Sequence, residues 1–214
     1  MKYVYTYILD TLADWELGHA MAELNSGRFL KDRGGAIPVK TVGATKSPVT
    51  TMGGMKAVPD MVVGEITSAT TAVLLLPGAD TWADPKHGPV IKKAQELLAV
   101  GVPVAAICGA TGALAQAGML DNVQHTSNGL QYLQMFFSNY KGAEHYQDVL
   151  AVTDGNLITA GSSAQVEFAY HIFKKLEVFE PANLEYWYGY FGKHSIPDFL
   201  KLYEATSMAG RSAA

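Results

Sequence analysis

The chain of 214 residues contains one cysteine, no cluster of basic residues and no apolar run longer than a strand. A single cysteine cannot form a disulfide within the chain, which favours a reducing compartment and predicts a cytoplasmic location. The net charge is −4 at pH 7, and without a cluster of lysine or arginine we expect neither nucleic acid nor an anionic membrane as a partner. The longest apolar runs, Ala72–Leu76 and Val102–Ile107, are too short to span a bilayer, and the N-terminus lacks a signal-peptide cleavage region.

The composition is typical of a globular enzyme, with 49% apolar and 17% charged residues. The length suits one large domain, and the sequence contains no linker, repeat or low-complexity segment. We therefore predict a single domain over residues 1–206, followed by a frayed tail over residues 207–214.

Apolar strands alternate with amphipathic helices along the chain. The predicted strands are Lys2–Leu9, Ile37–Val42, Thr71–Leu76 and Val102–Ile107, with a hairpin of Val149–Thr153 and Leu157–Ala160. The predicted helices are Asp14–Leu24, Pro89–Val100, Leu130–Phe137, Ala164–Leu176 and Ala182–Tyr203. This alternation predicts an α/β fold, a doubly wound and mostly parallel sheet with helices on both faces.

Cys108 follows a buried strand and precedes a helix, with small residues at positions 106, 109 and 110. Small neighbours on both sides are typical of a nucleophile elbow, a turn so tight that larger side chains would collide. The turn predicts strained backbone angles, and the N-terminus of the following helix predicts a lowered pKa for the thiol. The alternative is an inert cysteine that packs as a small hydrophobic residue.

Glu16 follows the first predicted strand and falls in the opening turn of the predicted helix. Ligands of open α/β sheets bind beyond the carboxyl ends of the strands, so Glu16 and Cys108 are expected at the same edge. Burial would raise the pKa of this carboxyl, and its protonated form could donate a hydrogen bond to the sulfur. The alternative is an acidic residue that only complements a helix N-terminus.

Backbone N–H groups are the candidates for binding a substrate oxygen. The turn at Gly78 leaves N–H groups free beyond the third buried strand, and the N–H groups of Ala79 and Gly109 are placed to stabilise an oxyanion. The alternative is an ordinary loop turn.

Six histidines could assist the thiol. His125 follows the helix after Cys108 by a short loop and can return to the strand ends as a proton carrier. His19, three residues after Glu16, is the reserve candidate, whereas His171 has the setting of a structural residue on a packed helix. A lone Glu-x-x-His is too common to indicate a metal, and no cysteine–histidine cluster supports one. We therefore predict no metal.

Several motifs together resemble the DJ-1/PfpI superfamily, over residues from Lys2 to about Leu176. They are Asp-Trp-Glu16, Leu-Leu-Leu-Pro-Gly78, Ala-Ala-Ile-Cys108-Gly-Ala-Thr, His125-Thr-Ser-Asn and Thr-Asp-Gly-Asn-Leu-Ile-Thr-Ala-Gly161. The resemblance is closest to small bacterial members. It implies the class I glutamine amidotransferase-like, flavodoxin-like fold, with Cys108 as the reactive thiol, Glu16 as its hydrogen-bond partner and His125 nearby. It also implies a homodimer, because dimers are frequent in this family.

Departures from the family patterns narrow the function. PfpI-type proteases carry a histidine directly after the cysteine, where this chain has Gly109. Glutamine amidotransferases use a later His-x-Glu pair, and none of the six histidines is followed two residues on by glutamate. The resemblance therefore disfavours both protease and glutamine amidotransferase activity. The usual Pro-Gly-Gly is Pro-Gly78-Ala79 here, and we still expect the turn to supply the oxyanion site.

What remains is a cofactor-independent enzyme that acts on small carbonyl compounds, similar to glyoxalases and deglycases, through the Cys108 thiolate. The partner is then a small-molecule substrate. Two alternatives stay open: a non-enzymatic redox sensor or stress protein, and a cysteine hydrolase of small amides. The aromatic residues between Phe179 and Tyr203 hint at a homodimer, although they could equally dock on the core of the same chain.

Overall fold

The sheet follows the alternation of strands and helices in the sequence. A computed structural model describes residues 1–31 and 35–208. The strands within these residues are β1 (Tyr3–Tyr7), β2 (Val39–Gly43), β3 (Val49–Thr50), β4 (Lys56–Ala57), β5 (Met61–Val62), β6 (Thr71–Leu76), β7 (Val104–Ile107), β8 (Ala151–Asp154) and β9 (Leu157–Ala160). The α-helices are α1 (Gly18–Ser26), α2 (Gly88–Ala99), α3 (Gly109–Gln116), α4 (Leu130–Phe136), α5 (Gln165–Leu176), α6 (Pro181–Lys193) and α7 (Ile196–Met208).

Seven strands form one sheet in the order β5-β2-β1-β6-β7-β9-β8. All neighbours in it are parallel except the β8–β9 hairpin at one edge. The two remaining strands, β3 and β4, pair as a small separate antiparallel ribbon. The chain leaves β1 toward β2 and later returns to β6 on the other side of β1, so β1, β6 and β7 stand side by side at the centre. Their carboxyl ends face one crevice.

Alternating side chains of the central strands fill two apolar cores, one on each face of the sheet. Leu74 and Leu76 of β6 pack with residues of α2 and α3, whereas Val73 and Leu75 pack with residues of α1, α5 and α6. Strands buried on both faces are nearly continuous apolar runs, as Thr71–Leu76 is. The predicted doubly wound, flavodoxin-like α/β fold is thus confirmed.

The start of α1 differs from the prediction. The helix begins at Gly18 rather than at Asp14, so Glu16 lies in the turn before the helix and not in its first turn. The Asp14 carboxylate accepts a hydrogen bond from the N–H of Gly53 in the β3–β4 ribbon at 2.6 Å. Because this carboxylate is engaged with the ribbon, it does not cap a helix at that position.

The predicted helix Ala182–Tyr203 is two helices, α6 and α7. His194 adopts a left-handed conformation with φ of 57°, and its N–H caps α6 by bonding to the carbonyl of Gly189. Pro197 lacks an N–H group and suits the first turn of the new helix. The helical spacing of apolar residues continues across the break between α6 and α7, so this spacing alone predicts one helix.

Most of the aromatic side chains that hinted at a dimer pack within the chain. Trp187 is fully buried, and the rings of Phe173, Phe179 and Phe191 surround it. A homodimer therefore stays a prediction from the resemblance. Helix α7 ends at Met208, and positions 209–214 of the predicted tail lie outside the described residues. No helix in the described part of the chain is long and apolar enough to cross a membrane.

Candidate functional site

The turn between β7 and α3 consists of Cys108 alone. Its φ of 57° and ψ of −124° place a non-glycine residue in a backbone region that costs about 1–3 kcal/mol. Two neighbours hold it there: the N–H of Cys108 donates to the carbonyl of Ala160 at 3.0 Å, and its carbonyl accepts from the N–H of Thr111 at 3.0 Å. The strained elbow predicted from the neighbouring residue sizes is confirmed, with the thiol at the carboxyl end of the sheet.

Gly78 lies in contact with both the Cys108 thiol and the Glu16 carboxyl group. A Cβ on Gly78 would stand 2.7 Å from Cβ of Cys108, 2.8 Å from its Sγ and 2.7 Å from Oε1 of Glu16. These distances are shorter than Cβ contacts in proteins allow, so only glycine fits. The loop after β6 thereby brings together a side chain from the β1–α1 turn and one from the elbow.

We expect alanine at position 78 to lower the free energy of unfolding by about 1–3 kcal/mol, because the added methyl group overpacks the site. Gly64→Ala is the matched control, since a Cβ at Gly64 would meet nothing within 4 Å. Urea denaturation of both variants measures the difference. Equal stability of the two variants would mean that Cys108 and Glu16 can move away from Gly78 at no cost.

Glu16 is a fully buried carboxyl group. Its Oε2 accepts a hydrogen bond from the N–H of Gly78 at 2.5 Å. Oε1 makes no hydrogen bond of regular geometry to a described residue, yet the Cys108 thiol is near enough for each group to shift the pKa of the other. Burial raises the pKa of Glu16, and the hydrogen bond from Gly78 together with the nearby thiol opposes that rise only in part. A carboxyl group with a raised pKa binds a proton more readily than an ordinary carboxyl group and can return it to a reacting group.

The thiol itself has a raised pKa. Burial raises the pKa of Cys108 to about 11, hydrogen bonds from Asn128 and from the N–H of Gly109 lower it, and the Glu16 carboxylate adds to the rise. The lowered pKa predicted from the helix N-terminus is therefore wrong for the resting site, because lost hydration and a nearby carboxylate outweigh the helix end. Protonation of Glu16 would remove the repulsion, so the two groups titrate as a coupled pair.

Asn128 is a site residue that the sequence reasoning missed. Its Nδ2 donates to Sγ of Cys108 at 3.4 Å, and its Oδ1 accepts from the N–H of Ser162 at 2.9 Å. The carbonyl of Ser162 in turn accepts from Nε1 of Trp15 at 3.2 Å, which joins three loops around the thiol. The signal for it in the sequence was the polar run His125–Asn128, from which the histidine was predicted as the site residue.

Alanine at position 128 should slow alkylation of Cys108 at pH 8 by about twofold to tenfold, because a lost hydrogen bond of about 0.5–1.5 kcal/mol raises the thiol pKa. The pseudo-first-order rate with iodoacetamide measures the effect. Asn139→Ala is the control, since the amide of Asn139 donates to the carbonyl of Gln116 instead. A rate unchanged from the wild type would show that the amide does not stabilise the thiolate.

The structure does not bring His125 to the thiol. The ring is fully buried, its Nδ1 donates to the carbonyl of Val123 at 2.8 Å, and its Nε2 accepts from the hydroxyl of Tyr140 at 2.8 Å. Both ring nitrogens are therefore occupied, and burial lowers the pKa of the imidazole. The chain returns to the strand ends as expected. The His125 ring, however, contacts the loops on either side of α4, and it is Asn128 that lies beside the sulfur.

His19 and His171, the two other histidines weighed from the sequence, are engaged elsewhere. His19 packs edge-on against Trp187 and Phe191, between α1 and α6. His171 of α5 forms a hydrogen bond to Thr153 of β8 at 2.8 Å, in keeping with its predicted structural role. Within residues 1–31 and 35–208 no group of three or more histidine, cysteine, aspartate or glutamate side chains is placed to hold a metal ion.

Among the three predicted oxyanion residues, the N–H of Ala79 has no acceptor in the described part of the chain, and that of Gly109 is engaged only by the Cys108 sulfur. A Cβ on Gly109 would stand 3.3 Å from the nitrogen of Ala79, so the start of α3 lies directly against the loop after β6. Gly109 is the first residue of α3, and its N–H has no acceptor within the helix. No described residue accepts a hydrogen bond from the N–H of Ala79. The N–H of Gly78 differs, because it is bound to Glu16 and holds the carboxyl group instead.

Asn128, whose amide donates to the thiol, also lines a small cavity. This cavity has a volume of about 280 Å³. Its lining includes Asn128, Ser162 and residues of the loop before β8, but neither Cys108 nor Glu16. A larger groove of about 760 Å³ lies between α2 and α3, and neither Cys108 nor Glu16 lines it. Small-molecule sites in proteins commonly measure about 300–1,000 Å³, so the cavity at Asn128 suits only a small ligand.

Comparison with known proteins gives relatives of the same kind throughout. The DJ-1/PfpI family model matches residues 2–175. The chain is 45% identical over 185 residues to the uncharacterized protease YoaZ of Bacillus subtilis (strain 168), a match that covers 86% of this chain and 88% of that protein. A thiJ/pfpI family protein from Bacillus anthracis has a similar crystal structure, with a TM-score of 0.92, 43% identity, and 95% of this chain and 96% of that chain covered.

A DJ-1 superfamily protein from Agrobacterium tumefaciens is a more distant structural relative, with a TM-score of 0.79 and 28% identity, covering 91% of this chain and all (100%) of that chain. The sheet order, the strained elbow at Cys108 and the family match over most of the chain agree with one another. The chain belongs to the DJ-1/PfpI family.

Proposed function

We propose that the protein acts on small carbonyl compounds, as glyoxalases and deglycases do, with Cys108 as nucleophile and Glu16 as its proton carrier. The observation that carries the proposal is the contact of both groups with Gly78, where a buried carboxyl with a raised pKa stands beside the thiol. Such a pair can activate the sulfur only when an electrophile is present, because the resting thiol keeps its proton.

Methylglyoxal illustrates the reaction. Sγ of Cys108 adds to the aldehyde carbon, the thiol proton passes to Glu16, and the former carbonyl oxygen takes up that proton to give a hemithioacetal. While negative charge is on that oxygen, the N–H groups of Ala79 and Gly109 stabilise it.

The second half of the reaction is an internal rearrangement. Glu16 removes the hydrogen of the former aldehyde carbon as a proton and returns it to the neighbouring carbon, while the hydroxyl proton moves to the neighbouring oxygen. The resulting thioester is cleaved by water, which breaks the carbon–sulfur bond and yields lactate and the free thiol. One carbon is oxidised and its neighbour is reduced, so the reaction needs no external oxidant, reductant or cofactor.

The geometry supports this reaction over the alternatives. Cysteine peptidases activate the thiol with an imidazole, and in the described part of the chain His125, the nearest candidate in sequence, has both nitrogens engaged elsewhere. This speaks against peptide hydrolysis, although a relative carries the name of an uncharacterized protease. Redox-sensing cysteines have a low pKa, whereas that of Cys108 is raised to about 11.

The test is the formation of lactate from methylglyoxal by the purified protein. We expect lactate to appear in proportion to protein concentration and to disappear after iodoacetamide has blocked the thiol, because the chain has no other cysteine to modify. Lactate formation that survives complete alkylation would overturn the proposal.

A further inference from the structure

The segments that build the site contain acidic residues and no basic ones. Residues 10–19, 76–84, 106–113, 125–132 and 160–164 surround the thiol, and together they include five carboxylic acids without a lysine or arginine. The acids are Asp10, Asp14, Glu16, Asp80 and Asp84. Enzymes that bind carboxylates or phosphates normally do so with arginine or lysine side chains.

A nearby cation from outside these segments is already paired. Nζ of Lys86 lies 3.2 Å from Oδ2 of Asp84 and 3.8 Å from Oδ2 of Asp10. In the part of the chain that the structure describes, neither Glu16 nor Asp80 forms an ion pair. Asp80 is exposed and lies two residues beyond Gly78, with its N–H fixed by the hydroxyl of Thr11 at 2.9 Å. The Glu16 carboxyl beside the thiol and the exposed Asp80 carboxylate on the loop after β6 therefore have no basic partner within residues 1–31 and 35–208.

The reacting pair is itself an anion. When Cys108 and Glu16 share one proton, the pair carries one negative charge whether the proton resides on sulfur or on oxygen. The groups within hydrogen-bond reach of the pair are the neutral amide of Asn128 and backbone N–H groups. Like charges that meet at a buried site repel each other more strongly than in water, because the effective dielectric constant is lower.

We propose that this site selects uncharged carbonyl compounds and rejects those that carry a carboxylate, through the combined negative charge of the Cys108–Glu16 pair and Asp80. That the substrates are carbonyl compounds rests on the proposed function. The selection against negatively charged molecules does not, because it follows from the charges at the site. It separates neutral aldehydes and dicarbonyls from oxo acids of the same size.

The first test uses two alkylating reagents that differ in charge, iodoacetamide and iodoacetate. Each rate with the wild-type protein is divided by the rate of the same reagent with mercaptoethanol, an uncharged thiol. Because both reagents meet the same thiolate fraction, their ratio reports on the field around the sulfur and not on its pKa. We expect iodoacetate to be at least tenfold slower than iodoacetamide after this correction, and equal corrected rates, or no reaction with either reagent, would overturn the proposal.

A pair of charge-reversal variants locates the effect. At low ionic strength, Asp80→Lys should lower the ratio of the iodoacetamide rate to the iodoacetate rate by about threefold or more. Added salt should make this decrease smaller. Glu204→Lys makes the same change of net charge on the exposed side of α7, far along the chain from the site segments, and should leave the ratio unchanged. An equal effect of both variants would mean that overall charge, and not the site, rejects the anion.

A second pair of probes separates this inference from the proposed function. Glyoxylate and its methyl ester present the same aldehyde with and without a carboxylate, and reversible addition to Cys108 would protect the thiol from iodoacetamide. We expect the ester to protect at a concentration at least tenfold lower than glyoxylate. If neither aldehyde protects, the proposed carbonyl chemistry fails while the alkylation ratio still decides the question of charge. If glyoxylate protects as well as its ester, the charge selection fails.

Discussion

Glutamine in place of Glu16 is expected to change turnover and alkylation in opposite directions. Turnover of methylglyoxal should fall by about 10²-fold or more, because an amide cannot carry the proton that general acid–base catalysis requires. Alkylation of Cys108 at pH 8 should instead become about tenfold faster. Loss of the carboxylate lowers the thiol pKa, and the thiolate fraction at a pH below the pKa rises tenfold for each unit by which the pKa falls.

The direction of the pH dependence follows from the same pair. In the wild-type protein the alkylation rate should still be rising with pH above pH 9, since the thiol pKa is raised to about 11. The alkylation rate of the Glu16→Gln variant should rise at a lower pH than that of the wild-type protein. Rates measured from pH 6 to pH 11 in both proteins test this, with circular dichroism as the check on folding. Parallel loss of turnover and alkylation would indicate that Glu16 mainly maintains the fold.

Serine in place of Cys108 should reduce lactate formation to the uncatalysed background. A serine hydroxyl is a far weaker acid than a thiol, so the carboxyl of Glu16 cannot draw off its proton to form the nucleophile. The substitution is close in size, and the backbone at φ of 57° is as strained for serine as for cysteine. The thermal unfolding temperature should therefore stay within a few degrees of the wild type, and turnover above a tenth of the wild-type rate would contradict a nucleophilic role of the sulfur.

The parts of the fold that depend on burial were predictable from the sequence. The run Thr71–Leu76 forms β6 at the predicted residues, because a strand covered on both faces is apolar at every position. The start of α1 was not predictable in this way, since the Asp14 carboxylate is engaged by the N–H of Gly53 in a distant ribbon. A contact between residues so far apart in sequence leaves no periodic signal.

The candidate site shows the same division. The elbow at Cys108 was predictable because steric crowding limits the size of the adjacent residues. Which of His125 and Asn128 faces the sulfur depends on side-chain direction in a loop, and loops have no fixed period to read. The sign of the thiol pKa shift was also out of reach, because it depends on how much hydration the sulfur loses in the folded protein.

The most direct test of the Cys108–Glu16 mechanism is a single-turnover carbon-13 NMR experiment. Methylglyoxal labelled at the aldehyde carbon is mixed with an excess of protein, and the label is followed over time. With the wild-type protein the label should arrive at the carboxylate carbon of lactate, and with Glu16→Gln it should accumulate as a hemithioacetal. A label that remains at the hydrated aldehyde of free methylglyoxal in the presence of wild-type protein would contradict the account.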